Sequence, residues 1–298
     1  MELVELVPNV SEGRSAEAVD AIASALEGPD VWLLDRHRDG SHNRAVLTAV
    51  ARPHAMLEAS MRLVERSLDR IDMRRHRGEH PRIGAVDVLP FVPLGTMEWE
   101  KVRELGRNVG KEIARTFGLP VFLYAEAALR PENRELPRLR RGGFETLEKR
   151  MASSELVPDY GPKAPHVTAG ATAVGVRDFL IAYNVELATP DRAVARVIAR
   201  RIRASSGGLP HLKALGFELA DRGRAQVSMN LMDFRVTSLE AAFDAVVREA
   251  GSLGVSVVRS EIAGLVPEAA AFEGMVERLK LDRPPGILEE RMRAAGVK

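Results

Sequence analysis

The densest group of side chains able to move protons or hold anions is Arg74-Arg75-His76-Arg77-Gly78-Glu79-His80-Pro81-Arg82. An imidazole with its ordinary pKa of about 6.5 both takes and releases a proton near neutral pH, so a histidine here suits general acid/base work. His76 and His80 have the i,i+4 spacing of a zinc pair. Gly78 and Pro81 interrupt the helix that this spacing requires, and the four arginines oppose a divalent cation. The cluster is therefore read as a proton-transfer site at His80 without metal, against the plainer alternative of a solvated basic loop.

Two other polar stretches accompany it. Asp35-Arg36-His37-Arg38-Asp39-Gly40-Ser41-His42-Asn43-Arg44 reads as the loop of a hairpin, and Pro8-Asn9-Val10-Ser11-Glu12-Gly13-Arg14 as a strand-to-helix connection. In the second, free N–H groups could meet an anion, or Ser11 or Ser15 could simply cap the helix. GRNVGK (Gly106–Lys111) is one residue short of a phosphate loop and lies inside a helical pattern, so it is rejected. Ser205-Ser206-Gly207-Gly208 reads as an ordinary turn, and no Gly-x-Ser-x-Gly elbow occurs.

The elements that must position these loops follow from periodicity. Leu3–Val7 reads as a strand, and Ser15–Leu26 as a helix ended by Gly28-Pro29. Val31–Leu34 and Ala45–Val50 read as strands, Pro53–Leu68 as a helix and Val86–Val92 as a strand. The order is βαββαβ, the ferredoxin-like arrangement. A helix over Trp99–Phe117 and a strand over Val121–Tyr124 follow. The second half repeats the pattern: Phe179–Leu187, Pro190–Ile202, Leu212–Leu219, Ala225–Leu231, Leu239–Ala250 and Val255–Val258. The fold class expected is α+β, with two lobes of mixed sheet. Between them Arg130–Pro165 is polar and proline-bearing, and on composition alone it reads as an irregular linker.

Composition sets limits on partners. Over 298 residues, 43 Lys and Arg balance 42 Asp and Glu, so the net charge of +1 predicts no nucleic acid or anionic membrane partner. Cysteine is absent, which rules out disulfides, thiolate metal sites and a cysteine nucleophile, and the expected address is cytoplasmic. No apolar run approaches the roughly 20 residues that span a bilayer, and the N-terminal segment is acidic where a signal peptide is basic.

Several segments, in order along the chain, resemble the glutamate formiminotransferase family. They are VPNVSEGR (Val7–Arg14), Asn43-Arg44, IDMRRHRGEHPRIGAVDVLPFVP (Ile71–Pro93), GLPVFLYAEAA (Gly118–Ala128), VPDYGP (Val157–Pro162), GATAVG (Gly170–Gly175) and QVSMNLMDF (Gln226–Phe234). GEHPRIGAVD is the most specific of them.

The resemblance implies transfer of a formimino group from N-formiminoglutamate to the co-substrate tetrahydrofolate, releasing glutamate, in histidine breakdown. It places the catalytic histidine on His80. It places the folate-binding segment on Asp159, Tyr160, Gly161, Pro162, Lys163, Ala164, Pro165, His166, Val167 and Thr168, which replaces the linker reading there. It also implies an N-terminal subdomain over 1–177, a C-terminal one over 178–298, sheets facing a substrate tunnel with helices outside, and a homodimer. Arg44, Arg75, Arg77 and Arg82 are unranked candidates to clamp substrate carboxylates.

Two departures stand out. An assisting carboxylate of vertebrate members falls on His37, with Asp39 two residues further on, so both are candidates and Asp39 is preferred. A tryptophan before GAT is replaced by Ala169. Vertebrate members continue into a cyclodeaminase, so a separate cyclodeaminase is an expected partner here. The rival readings are formyl transfer between glutamate and folate, a non-catalytic folate-binding protein and, more remotely, a metal-dependent hydrolase using His76, His80 and His42.

Overall fold

The computed structural model describes residues 2–297, which form two compact units, one built on residues up to Arg177 and the other on Asp178–Ala294. Among the described residues, no helix is long and apolar enough to cross a membrane.

The first unit begins with β1 (Glu2–Leu6) and β2 (Asn9–Val10), two pieces of one interrupted strand. Then come α1 (Ala16–Ser24), β3 (Val31–Asp39), β4 (Arg44–Ala51), α2 (Met56–Arg70), β5 (Val86–Gly95), α3 (Trp99–Phe117) and β6 (Val121–Ala125). Two further helices, α4 (Leu136–Arg140) and α5 (Gly143–Ala152), precede β7 (Thr172–Val176). The sheet runs β3-β4-β1/β2-β5-β7-β6. It is antiparallel through β5 and parallel between β5 and β7 and between β7 and β6. Pro90 is tolerated in central β5 because it faces the break between β1 and β2, where its carbonyl accepts from Val7 N at 3.2 Å.

Apolar residues spaced for one helical face bury Val19, Ile22, Leu63, Val64, Val102 and Ile113 against Val4, Leu6, Leu47, Leu89 and Phe91 of the sheet. On the opposite face, α4 and α5 cover only the β6–β7 end, through Leu139, Leu147 and Met151 against Phe122 and Tyr124. The rest of that face mixes Glu5, Asp35, His37, Asp39 and Thr48 with Val46 and Val50. The registers Asp35↔Thr48, His37↔Val46, Asp39↔Arg44 and Glu5↔Val50 set these residues opposite to Leu47 and Ala49, because successive strand residues alternate between faces.

The second unit is built on β8 (Ile181–Leu187), α6 (Arg192–Ile202), β9 (Leu212–Leu219), β10 (Arg224–Leu231), α7 (Leu239–Ser252) and β11 (Val257–Ala263), followed by β12 (Leu265–Val266), α8 (Met275–Arg278), β13 (Gly286–Ile287) and α9 (Leu288–Ala294). Its antiparallel sheet runs β11-β8-β10-β9. Tyr183, Val185, Val227 and Met229 face the helices. Asn184, Glu186, Gln226 and Ser228 take the alternate positions.

Three expectations need correction. Asp35–Asp39 belongs to β3 rather than to a loop, because its alternating burial matches a ladder with β4 and leaves only residues 40–43 as the turn. The stretch Arg130–Pro165 is not irregular throughout, since α4 and α5 lie within it and close one end of the sheet. Strand β11 begins later and runs further than Val255–Val258. β7 carries no strand-like run of large side chains. Gly175 is flush against the Tyr124 ring, a place where a larger side chain has no room.

Candidate active site

His80 lies in a loop, residues 71–85, that leaves α2 and enters β5. Contacts with four other segments hold the loop. At its start, Met73 N donates to Thr168 O at 2.7 Å. In its middle, His76 Nε2 meets Asn43 O at 2.8 Å while Arg82 Nε donates to His76 Nδ1 at 3.0 Å. Arginine only donates, so Nδ1 is the acceptor and Nε2 carries the hydrogen. Both nitrogens are thereby committed to protein partners, which makes His76 a brace for the loop and not half of a zinc pair with His80.

At the end of the loop, Ser11 Oγ donates to Gly84 O at 2.7 Å and Ser11 N to Ala85 O at 2.8 Å. Asp87 Oδ1 accepts from Ile83 N at 2.9 Å, and Asp87 Oδ2 pairs with Arg140 of α4. Helix capping is thus the work of Ser15, which accepts from Ala18 N at 3.1 Å, while Glu12 Oε1 accepts from Arg14 N and Ser15 N. These partners occupy the N–H groups that the sequence offered to an anion.

Asn43 joins the segments. Its Oδ1 accepts from Gly13 N at 3.0 Å, its Nδ2 donates to Arg77 O at 2.9 Å, and its own carbonyl meets His76. Its φ of 48° lies in the left-handed region, which asparagine enters at less cost than most residues. Gly78 approaches the His42 carbonyl so closely that a β-carbon would collide with it.

His80 is partly accessible as a residue, yet its ring is enclosed. Nε2 lies 2.6 Å from Arg44 Nη1, and Nδ1 lies 2.8 Å from Pro81 O. Because arginine only donates, Nε2 accepts and Nδ1–H donates to the carbonyl, which fixes a neutral tautomer. Burial first, then the charges of Arg44 and Arg140 and the neighbouring His42, push its pKa well below 6.5, while the Pro81 carbonyl opposes the shift. His76 is lowered too, chiefly by burial, with the Asn43 carbonyl opposing.

The two carboxylate candidates are placed differently. Asp39 is buried; its Oδ1 accepts from His42 N at 2.9 Å and its Oδ2 lies 3.9 Å from His42 Nε2. His42 in turn packs edge to face against His80, with ring centroids 6.0 Å apart and planes at 89°. Asp39 therefore reaches toward His80 through His42. His37 is buried two residues back along β3, about 7 Å further from the turn.

Residues 159–168 form an anchored arch. Asp159 N and Tyr160 N donate to Val121 O, Tyr160 O accepts from Val121 N, and Asp159 Oδ2 accepts from Leu123 N at 2.7 Å. Burial raises the Asp159 pKa against the opposing Leu123 N–H and Arg130 charge. Gly161 (φ 85°) turns the chain where a β-carbon would meet Leu119 O. Pro162, Lys163 and Ala164 are exposed, and Pro165 is half-buried. His166 closes the far end through reciprocal bonds with Gly170 at 2.8 Å, leaving Val167 exposed at the tip. Asp159 and Tyr160 thus hold the arch, and its middle is what a ligand can reach.

Of the arginine candidates, Arg82 is committed to Glu145 (2.6 Å) and His76, and Arg75 is exposed. Arg77 donates to His76 O at 2.7 Å, and Arg44 alone of the four touches His80 in this way. Nothing along the chain points to Arg140 beside His80, since it lies in the supposed linker; His42 is grouped with His80 only in the remote metal-hydrolase reading.

Residues 3–177 match the formiminotransferase domain, N-terminal subdomain, and residues 182–277 match the formiminotransferase domain. The chain belongs to the formiminotransferase family. It is 43% identical over 300 residues to glutamate formimidoyltransferase of Thermoplasma acidophilum, covering 99% of each. It is 42% identical over 273 residues to the protein of that name from Streptococcus pyogenes, covering 91% of each. Against the formimidoyltransferase-cyclodeaminase of Sus scrofa it is 40% identical, over 94% of this chain and 54% of that protein. The family segments Val7–Arg14, Asn43-Arg44 and Ile71–Pro93 meet through the Asn43, His76 and Ser11 bonds, and Gly170–Gly175 joins them through Ala171 N, which donates to Ile83 O at 3.0 Å.

Two outcomes follow from this geometry. Asn43→Ala strands the buried Gly13 N–H and places alanine at positive φ, so chemical denaturation should show a loss of about 1–3 kcal/mol. Asn43→Asp, which keeps the acceptor for Gly13 N, should lose less; equal losses would remove the Gly13 bond from the account. His76 and His80 have folded pKa values below 6.5, so the unfolded chain binds protons that the native one refuses. Their contribution to stability is full above about pH 6.5 and is lost as pH falls through the folded values. The melting temperature should therefore drop between about pH 7.5 and 5.5, and drop less in His76→Gln. An unchanged slope in that variant would show that His76 is not held neutral.

Proposed function

We propose that this chain transfers the formimino group of N-formiminoglutamate to tetrahydrofolate, giving 5-formiminotetrahydrofolate and glutamate, with His80 as the proton shuttle. The observation that carries this reading is the fixed tautomer of His80, whose Nδ1–H is held by Pro81 O and whose Nε2 is thereby the basic nitrogen, in contact with Arg44. The transfer joins nitrogen 5 of tetrahydrofolate to the formimino carbon. The tetrahedral adduct must then lose a proton from the incoming nitrogen and gain one on the glutamate nitrogen before it collapses. A histidine held neutral takes the first proton, and its depressed pKa lets it surrender that proton to the departing nitrogen.

The arch of residues 159–168 supports a folate site. It is tied to the His80 loop by the Met73–Thr168 bond, and it presents Lys163, suited to a folate carboxylate, together with Val167. We assign the carboxylate role to Asp39, acting through His42, in preference to His37. Each unit is read as a ferredoxin-like lobe, since each contains four strands in the order fourth-first-third-second, with two further strands at one edge of the first sheet; the same reading has the sheets face a substrate tunnel. Residues 1–177 form the subdomain with the histidine loop and folate arch, and 178–298 the C-terminal subdomain. A homodimer, a cytoplasmic address and a separate cyclodeaminase that consumes the product complete the reading.

Incubation of the purified protein with N-formiminoglutamate and tetrahydrofolate should yield 5-formiminotetrahydrofolate by mass detection, and faster than N-formylglutamate yields a formyl product. His80→Asn should lower kcat by about 100- to 10,000-fold while tetrahydrofolate binding persists. Near-normal turnover in that variant would sink the assignment. Asp39→Asn should lower kcat more than His37→Asn does, and the reverse order would move the assisting role to His37.

A further inference from the structure

The bond between Arg44 and His80 is a contradiction if His80 works as a base. At 2.6 Å the guanidinium spends the Nε2 lone pair, the one position where this tautomer can accept a proton. Arg44 is also the first of the charges that disfavour protonation, ahead of Arg140 and His42. A catalytic base should not be stoppered by its own neighbour unless something removes the stopper.

The surroundings show what can. Arg44 opens β4 directly after the Asn43 hub, so its backbone is held, and its long side chain is half-buried. A guanidinium binds a carboxylate through two charge-assisted bonds, which outweigh one bond to a neutral imidazole. The donor substrate brings two carboxylates. Arg140 flanks the same histidine from α4, with its Nη2 on Asp87 and its buried Nε lacking a hydrogen-bond partner.

We propose that Arg44 is a carboxylate-operated latch on His80: a carboxylate of the seated glutamate-type donor draws the Arg44 guanidinium off Nε2, so the base is freed only when the donor is in place. This rests on the reading of His80 as the proton shuttle. No covalent bond changes in the step; one hydrogen bond to Nε2 is exchanged for a carboxylate–guanidinium pair. Unlatching also brings negative charge beside a ring that faces Arg44 from β4, Arg140 from α4, His42 from the turn and the Pro81 carbonyl from its own loop. His80 then becomes easier to protonate when the incoming nitrogen must shed its proton. Arg44 is in these terms a positioning residue for His80 and a specificity residue for donors bearing a carboxylate.

The test is ¹⁵N NMR of the full chain labelled at histidine, with the His80 resonances assigned by their loss in His80→Asn. L-glutamate, the dicarboxylate product, serves as the probe. Saturating glutamate should move the wild-type His80 Nε2 resonance and raise the pH of its titration midpoint by about one unit, a tenfold change in proton affinity. In Arg44→Met the resonance should already lie displaced, and glutamate should leave it unmoved. The same variant should raise KM for N-formiminoglutamate by about tenfold or more. It should also reduce the advantage of that donor over formamidine, which has no carboxylate. A wild-type Nε2 resonance that stays in place while glutamate binds would overturn the latch, as would an equal shift in Arg44→Met. The wild-type titration needs no variant to fold. Failure of the shuttle reading is seen separately, as turnover surviving in His80→Asn.

Discussion

Everything at the candidate site hangs on one asparagine side chain in a four-residue turn. Asn43 accepts from the β2–α1 connection at Gly13, donates to the histidine loop at Arg77, and presents its carbonyl to His76, all while its backbone occupies the left-handed region. A loop between a helix and a strand would ordinarily be among the more mobile parts of a fold. Here it is clamped at Met73, His76, Arg77, Ile83, Gly84 and Ala85 by bonds to four other segments. The close approach of Gly78 to the His42 carbonyl completes the clamp, because only a residue without a side chain lets loop and turn touch.

Rigidity of this kind gives two histidines opposite duties. His76 has both nitrogens committed to protein partners and serves as a brace. His80 has its Nδ1 committed to a carbonyl and its Nε2 in contact with the Arg44 guanidinium. The same two forces, burial and nearby positive charge, keep both neutral, yet only His80 faces a partner that a ligand can compete for. The local excess of guanidinium over carboxylate around His80 contrasts with the near-zero net charge of the chain. Positive charge at this site is therefore a local matter, set by Arg44 and Arg140 and not by the net charge of the chain.

The architecture was legible where side-chain periodicity was strong and obscure where small or polar residues built regular structure. α3 was found to the residue because its apolar stripe and terminal Gly118 leave little freedom. β7 was missed, since Gly175 interrupts it and fits there only because of the Tyr124 ring across the sheet, a contact that no local pattern encodes. β3 was cut short because Asp35, His37 and Asp39 look like loop residues, whereas their alternation with Arg36 and Arg38 is that of a strand with one polar face. α5 was hidden inside a polar stretch whose buried members, Leu147 and Met151, have partners only in β6.

What the sequence by itself determined was the identity of the chemistry-bearing residues and the α+β character of the chain. Residue types carry proton affinity and charge wherever they sit, and periodicity reports which faces are apolar. What only the tertiary structure decided was the contacts of each within the set: His76 with both nitrogens held, His80 with Nδ1 on Pro81 O and Nε2 against Arg44, Arg82 tethered to Glu145, and Asp39 joined to His80 through His42. Those distinctions depend on which nitrogen meets which donor and on which groups are stripped of water together. Neither is a property of a residue or of its neighbours along the chain; both arise when Gly13, Asn43, Arg77 and Gly84 are brought to one end of one sheet.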